Sequence, residues 1–332
     1  MSRLPSFPSI QALDHLSESV RPTATGQARL SGVTTAAANS HRAVGEGGQF
    51  SPVDWALFVA ISLIWGASFL LIAIGLETMH PGVVTLLRVG FGALALNLIP
   101  GSRVRFDRSD WRNITALSIV WVGIPFTLFP IAEQYINSAV TGLLNGGVPI
   151  FTALFGALFF ARRTTGPQLV GVAVGFVGVV LISLPSASEG GTQLRGVLLV
   201  IGATMCYGVA TNLAYPLQLK YGSRALMARM LLLATIWTLP YGLAGWGEST
   251  FEAGPVLAVG VLGVVGTGFA FLIMGTLVGR VGSTRASFVT YLIPGVSLAL
   301  GVVFQDDHVA ALALVGVALV IGGALLASRA ER

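Results

Sequence analysis

Two arginines, Arg88 and Arg229, fall inside stretches that are otherwise apolar for most of their length. A cation in hydrocarbon is costly, so each serves either a solute or a polar structure within the protein. Both also lie within two turns of a predicted helix end, where the side chain can snorkel outward or bond backbone carbonyls. Trp65 and Tyr207 lie too deep in their apolar runs to be interfacial aromatics, and their N–H and O–H need partners when buried. Asn145, Thr290 and Tyr291 stand one turn ahead of Pro149 and Pro294. A proline removes a backbone donor and kinks a helix, and the freed carbonyls are tolerable in a bilayer only where protein or water satisfies them. Trp65, Asn145, Tyr207, Thr290 and Tyr291 are therefore candidates to line a cavity, against the competing reading of core packing. Pro149 and Pro294 are candidate helix breaks. Trp121, Thr211 and Asn212 are weaker candidates.

Catalysis is not expected from these residues. Hydrolysis within a bilayer would need an HExxH metal site, a Ser/His pair or two buried carboxylates, and the sequence has none of these. It also lacks the G-x-x-x-x-G-K-[ST] loop of an ATP-driven pump. Its four histidines are scattered and its one cysteine, Cys206, has no intramolecular partner, so no metal site, cofactor or disulfide is expected. Glu133, at the outer end of the third apolar run, is expected to be exposed. Coupling through a carboxylate at the membrane midplane is not expected.

These candidates must be held by membrane-spanning helices. The chain is 54% hydrophobic and only 10% charged, against about a quarter charged in soluble domains. Apolar runs predict an all-α integral membrane protein of ten spans, near 55–74, 82–99, 112–131, 138–160, 166–184, 194–213, 224–245, 255–277, 285–304 and 308–327. With ten spans and a cytoplasmic N-terminus, 16 Lys and Arg residues fall on the cytoplasmic side and only Arg195 on the other. That bias predicts both termini in the cytoplasm. It also assigns the net charge of +5 to topology rather than to nucleic acid. Residues 1–53, rich in Ser, Thr, Ala, Gly and Pro with no apolar span, are expected to form a disordered cytoplasmic tail.

The chain repeats itself. Residues 138–183 set against 283–328 without a gap share twelve identities, including Pro149/Pro294, Gly156/Gly301, Gly171/Gly316 and Gly178/Gly323. Upstream, Trp65-Gly66 aligns with Tyr207-Gly208 and Arg88 with Arg229. The expected organisation is two five-helix halves, 54–184 and 193–328. Because five is odd, the second half enters the membrane in the opposite sense, and two such halves can expose a shared central site to alternate sides. Gly171, Gly175 and Gly178, with Gly316, Gly322 and Gly323, are spaced for close helix approach. Spans five and ten should therefore contact each other or a second subunit, the latter giving a homodimer.

The stretch "LIWGASFLLIAIGLETMHPGVVTLLRVGFGALALNLI", with its WG pair and span-two arginine, resembles the first two spans of the EamA family of the drug/metabolite transporter superfamily. "AEQYINSAVTGLLNGGVPIFTALFGALFF" and "GRVGSTRASFVTYLIPGVSLALGVVF" are similar to that family's third-to-fourth and eighth-to-ninth span passages, and "PQLVGVAVGFVGVVLI" to its fifth span. The resemblance covers about residues 54–328. It implies a ten-span secondary transporter in a bacterial cytoplasmic membrane, exporting a small metabolite such as an amino acid by alternating access. The lipid bilayer and a small-molecule solute are then its partners. The alternative is a non-transporting membrane scaffold or sensor. One departure is that the family's Gly-Glu-Arg after spans four and nine is replaced by "FARR" and "FQDD", leaving Arg162 without an acidic predecessor.

Overall fold

The computed structural model describes residues 50–159, 166–188, 191–281 and 283–329. The expected tail up to residue 49, and Arg162 and Arg163, lie outside the described residues. Among the described residues, eight helices are long and apolar enough to cross a membrane. They are α1 (Pro52–Leu76), α2 (Pro81–Leu98), α3 (Arg108–Ala132), α4 (Ser138–Phe159), α5 (Gly166–Ser188), α6 (Gly191–Tyr221), α7 (Ser223–Ala244) and α8 (Ala253–Val281). Two shorter apolar helices follow, α9 (Val289–Phe304) and α10 (Ala311–Arg329).

Local sequence sets these boundaries. At the start of α1 the Ser51 side chain accepts from the Asp54 amide and the Asp54 carboxylate accepts from the Ser51 amide, with Pro52 at the first helical position, where its missing N–H costs nothing. Such a cap contributes about 1 kcal/mol. At the start of α2, His80 Nδ1 accepts from the Gly82 amide, ahead of Pro81. Only Gly222 separates α6 from α7, and its φ of 78° lies where residues other than glycine are strained.

Three helices depart from the regular ladder inside their spans. α3 and α8 each contain a π-helical segment, Ser118–Gly123 and Val264–Phe269, at nearly equivalent places in the repeat. α4 is interrupted at residues 146–147, and its second piece restarts at Val148 with Pro149 in the first turn. The break preceding α9 comes earlier than the proline does. The turn Ser283–Ala286 ends before residues 287–288, and Pro294 lies inside the continuous helix that follows. The sequence offered both prolines as helix breaks; the α4 break lies just ahead of Pro149, and Pro294 lies inside its helix.

The principal packing partners join residues 54–184 to residues 193–328. α1 packs on α8 and α9, and α6 on α3 and α4. α2 packs on α7 and α8, and α3 on α7. α4 meets α9, and α5 meets α10. Exchanging each helix with the one five places away leaves this set unchanged. Individual contacts follow the same exchange. A Cβ at Gly66 would meet Val296 at 2.5 Å, and one at the equivalent Gly208 would meet Phe151, the equivalent of Val296, at 2.7 Å.

α5 and α10 touch backbone to backbone. A Cβ at Gly178 would lie 2.5 Å from the Gly316 carbonyl, and one at Gly316 would lie 2.9 Å from the Ile182 amide. Gly323 faces Gly171 and Gly175 in the same way, whereas Gly322 faces open space. Five of the six glycines assigned to close approach thus make it, and Gly322 does not.

Candidate functional site

α2, α3, α6 and α8 converge on Arg88. Its side chain is only 6% exposed, so it neither snorkels nor faces lipid. Nε donates to Thr267 Oγ1 at 3.3 Å, and the guanidinium lies over the Phe126 ring, 3.8 Å from its centroid. α2 and α8 come close enough for this because glycines line their contact: a Cβ at Gly263 would strike the Arg88 carbonyl oxygen at 2.8 Å. The π segment of α8 aims the hydroxyl. Thr267 Oγ1 donates to the carbonyl of Leu262, five residues back, and so presents an oxygen lone pair to Arg88. Among the described residues this is the guanidinium's one hydrogen bond, which leaves its terminal nitrogens available.

Aromatic contacts also join the two halves. Trp65 of α1 meets Phe271 of α8 edge-on at 5.8 Å, and Tyr207 of α6 meets Phe129 of α3 at 5.9 Å. Phe69 extends the second cluster, 5.5 Å from Phe129. Phe129, which Tyr207 meets, lies one turn along α3 from the Phe126 ring under Arg88, and Glu133 lies one turn beyond it.

Glu133 corrects a sequence expectation. Both its carboxylate oxygens are buried and neither has a hydrogen-bond partner. It follows α3 directly, two turns beyond Phe126 and one beyond Phe129. A position at a helix end carries no local sequence signal of burial. Asn145 Oδ1 is also buried without a partner, at the end of the first piece of α4. Asn212 donates to the carbonyls of Thr152 and Gly208, each at 2.9 Å, while its own oxygen is unpaired.

The remaining candidates lie elsewhere. Arg229 is partly exposed near the start of α7, with its guanidinium 5.5 Å from the Phe106 ring and 5.6 Å from that of Trp111. It anchors the α2–α3 connection by cation–π contact. Thr290 and Tyr291 are in the first turn of α9, where Thr290 donates to the Ser287 carbonyl and Tyr291 stacks on Phe288. Pro294 is buried against α4, close to Gly146, and so faces protein rather than acyl chains.

Both ends of the bundle are tied across the halves. At the arginine-rich end, Arg280 pairs with Asp54 at 2.5 Å, and Lys220 pairs with Asp107 at 2.6 Å and Asp110 at 2.7 Å. Tyr221 donates its hydroxyl to Asp110. At the other end Asp307 accepts from the Ser138 hydroxyl and the Ala139 amide, both at 2.9 Å, and the Thr250 amide donates to the Thr78 carbonyl. Two grooves, of about 360 and 380 Å³, are lined by Leu194 and Arg195 and by Ile119, Thr127 and Trp237 respectively. Neither includes Arg88, Glu133 or Tyr207. Asp307→Ala should lower stability by about 1 kcal/mol through loss of a carboxylate at a helix N-terminus. A drop of a few degrees in the melting temperature of the detergent-solubilised protein would register it.

The profile of the EamA-like transporter family matches residues 55–184 and again 194–329, the two halves delimited by the repeat. The chain belongs to the EamA-like transporter family. Its relatives include a probable terminal-alkyne amino-acid exporter of Streptantibioticus cattleyicolor, 27% identical over 85% of this chain and 95% of that protein. A probable amino-acid metabolite efflux pump of Escherichia coli is 25% identical over 81% of this chain and 93% of its own length. A solved crystal structure superposes with a TM-score of 0.60 at 18% identity, covering 84% of this chain and 99% of the other, and shares the fold. Sequence alone did not single out Thr267 or Phe126 of this EamA-like protein as site residues, and it put Glu133 in solvent. The one available signal was a hydroxyl between two glycines, Gly266-Thr267-Gly268, in an apolar span.

Proposed function

We propose that this EamA-like protein is a ten-span secondary transporter of a bacterial cytoplasmic membrane, with both termini in the cytoplasm, exporting an amino acid or related small metabolite by alternating access. The observation that carries this reading is the buried Arg88–Thr267 bond, an intramembrane charge held between the two halves of the chain with donors to spare. Such a charge in a bundle interior marks a solute path by default.

The packing set that is invariant to exchange of the halves supports inverted repeats, since five alternating spans per half reverse the second half. Among the described residues, the ties at Asp54–Arg280, Asp110–Lys220, Ser138–Asp307 and Thr78–Thr250 each join segments that ten alternating spans put on one side. Alternating access then breaks one set of ties while keeping the other. α4, interrupted at residues 146–147, and the turn ahead of α9 supply backbone groups to the path. Export of amino-acid-like solutes is what the names of the two bacterial relatives state of those proteins.

Purified protein in liposomes tests the reading. Saturable flux of an amino acid, reduced severalfold by Tyr207→Phe or Asn145→Ala, is the expected result. Flux no greater than in empty liposomes for a panel of amino acids, polyamines and nucleosides would remove it.

A further inference from the structure

Two groups of opposite charge lie near each other in the interior without pairing. Arg88 uses Nε on Thr267 and has its terminal nitrogens free among the described residues. Glu133 has both oxygens buried and unbonded. Among the described residues no ion pair joins them. Along α3, Phe126, which carries the guanidinium, is seven residues before Glu133, a rise of roughly 10 Å. Positions seven apart lie on one face of a helix.

A carboxylate in such a setting calls for a proton or a cationic partner, and a guanidinium for an anionic one. A simple anion would satisfy Arg88 and be repelled by Glu133. A simple cation would meet the reverse. A solute carrying both charges a few ångströms apart satisfies the two at once and enters the low-dielectric interior with no net charge. The rings nearby, Phe69, Phe126 and Phe129, offer an apolar surface for the rest of it.

We infer that Arg88 and Glu133 form a two-point clamp for a zwitterion, with the solute's carboxylate at Arg88, its ammonium group at Glu133 and an apolar side chain against the phenylalanines. The assignment rests on the transport reading above and adds the ammonium-binding residue and the requirement for both charges. Nothing in the second half duplicates it, because the position equivalent to Glu133 is Val278. The clamp is therefore asymmetric and holds the solute in one orientation.

Phenylalanine, phenylalanine methyl ester and N-acetylphenylalanine present both charges, only the cation and only the anion on one side chain. Thermal-shift titration and liposome flux with the wild-type protein should respond to phenylalanine at concentrations at least tenfold lower than to either blocked form. Glu133→Gln should weaken phenylalanine at least tenfold and strengthen N-acetylphenylalanine. Its ligand-free melting temperature reports whether it folds, and Glu133→Asp, if it restores phenylalanine over the glutamine variant, ties the effect to the charge. A blocked form binding as well as phenylalanine, an unchanged preference in folded Glu133→Gln, or no response to any of the three would overturn the clamp. Saturable flux of some other solute in that last case would leave the transport reading standing.

Discussion

Arg88→Ala should cut solute flux by roughly a hundredfold while leaving the protein folded. A charge-assisted hydrogen-bond set to a bound carboxylate is worth about 1.5–3 kcal/mol, and each 1.4 kcal/mol is a factor of ten. Losing the folding contribution costs less, because removal of a buried cation also removes its desolvation penalty. Arg88→Lys should fall between, since an ammonium keeps the charge but not the forked donors or the stacking on Phe126. Arg229→Ala is the comparison: it sits among Phe106 and Trp111 near the start of α7 and should alter flux by a small factor only. Equal losses from the two alanine variants, read as initial rates in liposomes, would remove Arg88 from the solute path.

Gly178→Leu should prevent the bundle from assembling, and Gly323→Leu should do the same. At Gly178 the first side-chain carbon would already lie 2.5 Å from the Gly316 carbonyl oxygen and 2.7 Å from the Val320 amide nitrogen. Both neighbours are backbone and cannot rotate away. Relief requires α5 and α10 to separate along the whole crossing, a loss of roughly 3 kcal/mol or more. Gly322→Leu provides the control one residue away, because nothing lies within 4 Å of its Cβ position. Yield of monodisperse protein and its melting temperature should fall sharply for the first two variants and little for the third. A tolerated Gly178→Leu would mean that the α5–α10 seam opens readily.

How much of this was legible beforehand varied with the range of the interaction responsible. Helix positions follow from apolar runs and local punctuation, so residues 82–99 became Pro81–Leu98 and 224–245 became Ser223–Ala244. The glycines of the seam were legible because their spacing is a property of one helix face. Arg88 and Arg229 looked alike, as equivalent positions in a repeat, and differ only because Thr267 and Phe126 approach one of them and Phe106 and Trp111 the other. Glu133 was placed in solvent because it stands at the end of an apolar run, where burial leaves no local signal. The break before α9 precedes its proline because a proline inside a helix can be absorbed as a kink, whereas Pro149 was free to start a new turn. The π segments leave no side-chain signature, since they consist of one extra residue in a turn that any apolar sequence can accommodate.

That extra residue makes the Arg88 partnership conditional. Regular α-helix advances about 100° per residue, so a wide turn that tightened or moved past Thr267 would swing the hydroxyl around the axis and strand the guanidinium. In α3 the comparable turn carries Ser118, which receives the indole N–H of Trp237 at 3.1 Å from α7. Each half of the molecule thus keeps a removable stitch on the other, and ironing out the slack in a single coil is enough to undo it without unfolding a helix.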